Sequence, residues 1–272
     1  MPDSFDLSRV TAALANTAFA HNLRHFPSVR STNVLASEAA QSGAPHGSVW
    51  VADEQTAGRG RSNHRWHSPA GDGLYVSVLL RPQMSLADAL WLSLATALAV
   101  QAAIANVTNI RPDIRWPNDL LIGNKKCGGI LVETSAVALQ PETPAMLRHA
   151  VVGVGINANQ QSFPPELEAL ATSLLRESGK RWAREPILVE FLRALDNEIA
   201  WLEAELRGTP IQAGLLERFA AASSWVHGKR VRVEEAGGYT GVTDGLDESG
   251  FLRVAGDDGM LHTVLSGGVR AL

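Results

Sequence analysis

The chain has few of the features that would give it a secreted, membrane or nucleic-acid-binding character. Its single cysteine, Cys127, excludes an intrachain disulfide and a cysteine-rich zinc site. The first twenty residues lack the basic region and apolar core of a signal peptide, and we expect no apolar run near the ~20 residues that span a bilayer. The net charge of −4 argues against a general nucleic-acid binder. These absences predict a soluble, cytoplasmic protein without a membrane partner.

Two common nucleotide-binding fingerprints are also missing. No Gly-x-x-x-x-Gly-Lys-Ser/Thr loop occurs, and Gly153-Val154-Gly155 lacks the third glycine of a dinucleotide-binding turn. Any nucleotide site must therefore be built by other means. Taken alone, this segment is more typical of a buried strand that ends in a glycine turn.

Apolar periodicity predicts a large α+β domain, a mixed sheet with helices, over residues 1–224. The predicted helices cover residues 86–105, about 186–206 and about 211–222, with Ser85 as a helix cap. The predicted strands cover residues 49–52, 74–80, 129–134 and 149–156. Prolines interrupt the pattern at 136–144, which predicts a surface loop.

Residues 225–272 have a different pattern, with short strand-like runs between glycine turns and no helical period. This pattern predicts a small C-terminal β-barrel.

The segment Gly58-Arg59-Gly60-Arg61 lies between two strand-like runs. Glycines let a backbone approach a ligand closely, and arginines present planar cationic groups to phosphate or carboxylate oxygens. An anion-binding loop and an ordinary solvated hairpin loop both fit this segment.

Five motifs that follow one another along the chain favour the first interpretation. They are Ser31-Thr32-Asn33, Gln55 to Arg61, Trp116-Pro117-Asn118-Asp119, Lys126 to Leu131, and Gly153 to Asn157. In this order and at these spacings the chain resembles the biotin protein ligases over about residues 31–159, with a weaker match at the C-terminus. The resemblance implies a catalytic domain like that of class II aminoacyl-tRNA synthetases and biotin ligases, followed by an SH3-like domain. It also implies the short, single-function kind of ligase, because the roughly 30 residues before Ser31 are too few for an N-terminal DNA-binding domain.

Biotin would then be activated with ATP as biotinyl-5′-adenylate and transferred to a lysine of a biotin carboxyl carrier protein. The resemblance places Lys126 where biotin's carboxylate meets the α-phosphate, and a fixed cation lowers the repulsion between those anions. Family spacing selects Lys126 over Lys125, and Arg61 is the second predicted catalytic residue. Without the other motifs, a solvated lysine pair in a turn would be the better interpretation.

Small polar and amide side chains suit biotin's neutral ureido ring, which offers one carbonyl acceptor and two N–H donors. The predicted biotin-binding residues are Ser31, Thr32, Asn33, Gln55, Gly58, Arg59, Gly60, Arg61, Trp66, Lys126, Gly128 and Gly129. Ser31 and Thr32 fit equally well as the N-cap of a helix over residues 34–40.

The nucleotide is expected beside a second, overlapping set of residues. This set is Arg61, Trp66, Asn118, Asp119, Lys126, Asn157 and Arg270. Asp119 is also a candidate ligand for Mg²⁺, which prefers hard oxygen ligands. By residue type alone, Trp66 and Trp116 are more often core residues than surfaces on which a ligand packs.

Two other functions remain open from the sequence. One is a lipoate or octanoate ligase or transferase of the same superfamily, which shares the lysine and the general fold. The other is a repressor, which the negative charge and the short N-terminal segment disfavour; we therefore expect no specific DNA partner. The chain could form a homodimer.

Overall fold

The structure is a computed structural model that describes residues 5–61, 64–137, 144–235 and 237–272. A seven-stranded mixed sheet forms its larger part, with strand order β1-β2-β3-β7-β6-β5-β4. The strands are β1 (Leu23–Phe26), β2 (Ser48–Ala52), β3 (Gly73–Leu80), β4 (Asp113–Arg115), β5 (Asp119–Ile122), β6 (Lys125–Val137) and β7 (Met146–Asn157). Strands β1 and β2 run parallel, and the other neighbouring pairs run antiparallel.

Helices cover both faces of this sheet. They are α1 (Leu7–Ala13), α2 (Thr32–Gln41), α3 (Ala89–Thr108), α4 (Pro165–Glu168), α5 (Leu174–Ser178), α6 (Arg184–Leu206) and α7 (Leu215–Ala222). Helices α3, α6 and α7 pack together on one face. Helix α2 covers the other face, where Ala36 and Ala40 pack against Trp50, Leu79 and Val151. Every residue of β2 and β3 is buried as a result, which explains their continuous apolar sequence.

Helix α3 is the central helix of the domain. Its sequence is rich in alanine and leucine, which are strong helix formers. Ser85 caps the 3-10 turn that precedes it, and Asn109 ends it in the left-handed conformation with φ 60°. Among the described residues, Leu86–Thr108 is long and apolar enough to cross a membrane by length and composition, so the expectation that no run approached that length was wrong. In this fold the helix packs between the sheet and α6.

The C-terminal residues form a separate five-stranded antiparallel sheet, as the sequence predicted. Its strands are β8 (His227–Val233), β9 (Tyr239–Leu246), β10 (Leu252–Gly256), β11 (Leu261–Val264) and β12 (Val269–Ala271). The spatial order is β11-β10-β9-β8-β12. Strand β8 begins at residue 227, next to the predicted boundary between residues 224 and 225.

Two tryptophans of the large domain hold the small domain by one turn. The Trp116 indole donates a 2.9 Å hydrogen bond to the Gly250 carbonyl, and the Trp91 indole donates a 3.0 Å bond to the Ser249 carbonyl. Trp116 is almost fully buried. It is therefore a core residue at the domain junction, one of the two roles that its sequence allowed.

The predicted helices are present with shifted ends. Helix α6 has Pro186 in its first turn, where a missing N–H does no harm. Helix α7 begins at Leu215 rather than near 211, because Gly214 takes the N-cap position. Of the predicted loop at 136–144, residues 136–137 belong to β6, and residues 138–143 lie outside the described part of the chain.

Candidate active site

A cavity lies on the α2 face of the sheet, where β3, β7 and β6 run side by side. Its empty space measures about 440 Å³ when the open mouth and the solvent in it are included. The predicted residues that line it are Ser31, Thr32, Asn33, Gln55, Arg59, Gly60, Arg61, Trp66, Asn118, Lys126 and Gly129. Segments far apart in sequence therefore meet at one site.

The start of α2 supplies the polar end of the cavity. Ser31 occupies the N-cap position, but its side chain makes no capping hydrogen bond. Gln55 takes that role instead: its Oε1 accepts from the Thr32 backbone N–H at 2.9 Å and lies 3.1 Å from the Thr32 hydroxyl. Its Nε2 donates to Ser68 Oγ at 3.0 Å. These contacts fix the donors and acceptors that a ligand would meet.

Gly58 shapes the arginine-containing loop without lining the cavity. A Cβ at this position would lie 2.6 Å from the Trp66 carbonyl oxygen and 2.7 Å from Ser68 Oγ. Only a residue without a side chain lets the two sides of the loop approach so closely. The Gly58 carbonyl accepts from the Trp66 N–H at 3.0 Å, which holds Trp66 in place.

The two glycines of β7 make room for side chains on the face of the sheet. A Cβ at Gly153 would overlap the Asn33 amide, and a Cβ at Gly155 would overlap the Trp66 indole. Both glycines lie inside the strand, which continues to Asn157. The expected glycine turn at this place was therefore wrong. The Gly-x-Gly pattern clears space for two residues of the cavity.

Lys126 lies where the cavity opens, and Lys125 is not among the residues that line it. Its ammonium group pairs with Asp119, whose other oxygen pairs with Arg115. Burial alone would raise the pKa of Asp119, but Lys126 and Arg115 outweigh burial and hold the pKa below its ordinary value. The ammonium also lies 5.3 Å from the Trp66 ring centroid. A fixed cation and an aromatic face therefore stand at the cavity mouth.

Cys127, next to Lys126, is buried on the opposite side of β6. Burial raises the pKa of its thiol to about 12, which keeps it protonated and unreactive. Cys127 therefore acts as a small buried apolar residue.

Arg61 joins the loop to both domains. Its Nη1 donates to Asn118 Oδ1 at 3.0 Å, and its Nη2 donates to the Ser266 carbonyl of the small domain at 2.7 Å. Burial lowers the pKa of Arg61, while Asp119 and Glu235 act in the opposite direction. The guanidinium keeps its charge, because arginine is not deprotonated in proteins.

Glu133 contacts two residues that line the cavity, and the sequence did not single it out. Its Oε2 accepts from the Asn33 amide at 2.8 Å, and its Oε1 lies 3.0 Å from Arg59 Nη1. On the sequence it is one polar position of an apolar strand. Its partners come from α2 and the arginine loop, which no local pattern reveals.

A wider cleft, about 1,940 Å³ when its open solvent space is included, continues from the cavity toward the small domain. Arg61, Trp66, Asn118 and Lys126 line both spaces and form the boundary between them. The outer walls are Phe163, Leu167 and Leu170 on one side and Glu234, Glu235, Ser266, Gly267, Gly268 and Arg270 on the other. Elongated ligands can therefore reach from one space into the other.

Of the remaining predicted residues, Asn157 and Arg270 line the cleft, whereas Gly128 lines neither space. Asn157 lines the cleft, and its amide donates to the Thr172 carbonyl at 3.0 Å and to the Lys126 carbonyl at 3.3 Å. Gly128 is on the core side of β6, where a Cβ would meet Leu120. Arg270 is at the cleft wall and half exposed, 3.7 Å from Glu234.

The described residues do not provide a site for a protein-held metal ion. Both oxygens of Asp119 already face cations, and no group of three or more His, Cys, Asp or Glu side chains stands together in the described ranges. Magnesium is bound by one or two carboxylates that are free to face it, together with phosphates and waters. The proposed Asp119 ligand therefore does not fit in this arrangement.

Comparisons with known proteins agree with this geometry. The Biotin/lipoate A/B protein ligase family matches residues 25–157, and the Biotin protein ligase C terminal domain matches residues 226–269. The bifunctional ligase/repressor BirA of Bacillus spizizenii is 35% identical over 95% of this chain and 77% of its own length. The biotin–(acetyl-CoA-carboxylase) ligase of Mycobacterium tuberculosis is 35% identical over 88% of this chain and 84% of its own.

A solved structure extends the likeness to the fold. The biotin protein ligase of Aquifex aeolicus in complex with biotin and ATP superposes with a TM-score of 0.72 at 29% identity, covering 92% of this chain and 98% of that one. All five sequence motifs lie within residues 25–157, which the first family model matches. The chain belongs to the biotin protein ligase family.

Proposed function

We propose that this protein activates biotin with ATP as biotinyl-5′-adenylate and transfers the biotinyl group to a lysine of a carrier domain. The observation that carries the proposal is the junction of two spaces, a polar-ended cavity and a wider cleft, at Lys126, Arg61, Asn118 and Trp66. Biotin fits the first space, with its carboxylate toward the junction. ATP fits the second, with its α-phosphate at the same point.

The first half-reaction forms one bond and breaks one. A carboxylate oxygen of biotin attacks the α-phosphorus, and pyrophosphate leaves with the electron pair of the α–β bridging bond. Two anions must approach for this to happen. Lys126 and Arg61 place fixed cations at the meeting point, so the developing charge is stabilised without rearrangement of the site.

Asp119 and Asn118 position these cations. Asp119 holds the Lys126 ammonium and is held in turn by Arg115. The Asn118 amide donates to the Ile130 carbonyl at 2.8 Å, which fixes its oxygen as the acceptor for Arg61. Neither cation has to be ordered when the substrates arrive, which lowers the cost of reaching the transition state.

In the second half-reaction the neutral amine of a carrier lysine attacks the carbonyl carbon of the mixed anhydride. The C–O bond to phosphate breaks, AMP leaves, and the amine loses a proton as the amide forms. The same cations stabilise AMP as the leaving group. The half-exposed Arg270 and the turn at Ser266 line the open side of the cleft, from which a carrier lysine can enter.

The polar end of the cavity favours biotin over lipoate or octanoate. Thr32, Asn33 and Gln55 are buried or partly buried there and offer hydrogen-bonding atoms to a ureido ring. An alkyl chain or a dithiolane ring would leave those atoms without partners. Such unpaired buried groups give strong discrimination.

Biotin-dependent exchange of pyrophosphate into ATP tests the first half-reaction, with lipoate and octanoate as controls. We expect exchange with biotin and at least about a hundredfold less with either acid. Transfer is then measured with an isolated carrier domain, and the same domain with its acceptor lysine changed to arginine is the control. Equal exchange with octanoate would contradict the proposed substrate.

A further inference from the structure

Glu133 connects two parts of the cavity that are distant in sequence. One carboxylate oxygen receives the Asn33 amide from α2, and the other faces Arg59 of the arginine loop. Asn33 is 5% exposed, so its hydrogen bonds are made with the protein rather than with water. Glu133 is therefore part of the buried polar network of the cavity.

A carboxylate accepts hydrogen bonds and does not donate them. With Glu133 on one side, the Asn33 amide must turn its NH₂ toward Glu133 and its Oδ1 the other way. That oxygen lies 2.6 Å from Ser77 Oγ. Since Oδ1 can only accept, the single Ser77 hydroxyl proton is committed to Asn33.

The donor and acceptor roles in these hydrogen bonds also determine the role of Thr32. Its Oγ1 lies 2.7 Å from Ser77 Oγ and 3.1 Å from Gln55 Oε1. The Ser77 hydroxyl proton is used in the bond to Asn33, so toward Thr32 the Ser77 oxygen can only accept. Gln55 Oε1 is also an acceptor. The Thr32 hydroxyl must therefore donate its proton to Ser77 Oγ or to Gln55 Oε1. Its oxygen lone pairs are then left for the cavity, where they can accept from a ligand N–H.

We propose that Glu133 is a positioning residue that makes Thr32 a hydrogen-bond acceptor toward one ureido N–H of biotin. The inference rests on the proposed function and assigns a residue that sets its specificity. If the Asn33 amide were reversed, Ser77 would receive a proton from Asn33 and donate to Thr32. One Thr32 lone pair would then be occupied by Ser77, so the ligand N–H would have only the other lone pair and would bind more weakly.

The test replaces Glu133 with a side chain of the same shape that can both donate and accept. In Glu133→Gln the Asn33 amide is held in its orientation only by the long 3.4 Å hydrogen bond to the Leu131 carbonyl. The substrates are biotin and the two cyclic carbamates in which one ring N–H is replaced by oxygen. The matched control is Glu190→Gln, a surface carboxylate that also faces an arginine, Arg193, at 3.2 Å.

We expect wild type to discriminate strongly against the carbamate that lacks the N–H facing Thr32. In Glu133→Gln the KM for biotin should rise roughly tenfold, as for the loss of one hydrogen bond, with little change in kcat. The KM for that carbamate should stay unchanged, so discrimination falls by the same factor. Glu190→Gln should match wild type.

A second variant tests whether Glu133 acts on Thr32 through Ser77. Ser77→Ala interrupts the same path between Asn33 and Thr32, so the double variant with Glu133→Gln should discriminate no worse than either single one. Unchanged discrimination in Glu133→Gln, or equal losses for biotin and both carbamates, would overturn the inference. Wild type without biotin-dependent exchange would overturn the proposed function instead.

Discussion

The indole of Trp66 rests on the bare backbone of Gly155, in the space that a Cβ would occupy. Trp66 borders both the cavity and the cleft, and its ring lies below the Lys126 ammonium. The glycine of β7 therefore sets the position of an aromatic side chain that comes from the arginine loop.

Substitution of Gly155 by alanine should displace the Trp66 indole from this place. We expect a fall of about 1–3 kcal/mol in the free energy of unfolding, as for overpacking, together with weaker binding of biotin. Urea unfolding and calorimetric titration measure the two effects. Gly241→Ala is the control, because a Cβ there would meet the Ala255 carbonyl in the small domain, so the same overpacking should lower stability outside the cavity lining. Tight biotin binding by Gly155→Ala would contradict this role of the glycine.

Removal of the Lys126 ammonium should stop adenylate formation while the fold survives. Loss of one preorganised charge commonly costs ~10²–10³ in rate, so Lys126→Ala should reduce pyrophosphate exchange by that factor. Lys125→Ala, one residue away and outside the cavity, should change the rate only slightly. A larger loss in Lys125→Ala than in Lys126→Ala would show that the wrong lysine has been assigned.

The depressed pKa of Asp119 predicts a pH-dependent contribution to stability. Its pairing with Lys126 and Arg115 stabilises the fold fully above the ordinary aspartate pKa near ~4 and is lost as the pH falls through the lower folded value. At pH 7, Asp119→Asn should therefore be less stable by about 3 kcal/mol, as for a broken buried pair. The gap in unfolding free energy between wild type and variant should narrow as the pH is lowered toward 3. A gap that stays constant over this range would contradict the prediction.

Trp116 should contribute more to domain attachment than Trp91, although both indoles bond to neighbouring carbonyls. Trp116→Phe leaves the Gly250 carbonyl without its buried donor, at a cost of about 1–3 kcal/mol. The Trp91 bond to Ser249 is exposed, so water can replace the indole in Trp91→Phe. Thermal unfolding of the two variants compares them directly, and equal losses would show that burial of the bond is not decisive.

Local patterns in the sequence predicted the elements that local physics determines. Helices α3 and α6 and strands β3, β6 and β7 follow from apolar spacing, and the choice of Lys126 over Lys125 followed from motif spacing. Contacts between distant segments were not accessible in this way. The strand glycines looked like a turn because the residues that need the space, Asn33 and Trp66, come from other parts of the chain.

Glu133 illustrates the same limit for the site. Its side chain follows an apolar stretch on β6, a position that commonly faces solvent. Only the fold brings Asn33 and Arg59 to its two oxygens. Asp119 is the opposite case. Its motif made it a prominent candidate for a metal ligand, but only the structure shows that its two oxygens pair with Lys126 and Arg115.

The bond between Arg61 and the Ser266 carbonyl spans 205 residues of sequence. During translation, the loop that carries Arg61 leaves the ribosome long before its partner is synthesised. Contacts of such high sequence separation form late, and domains tend to fold as units from the N-terminus. The large domain of a nascent chain therefore acquires its fold first, and the cleft beside the cavity gains its second wall only when the small domain docks.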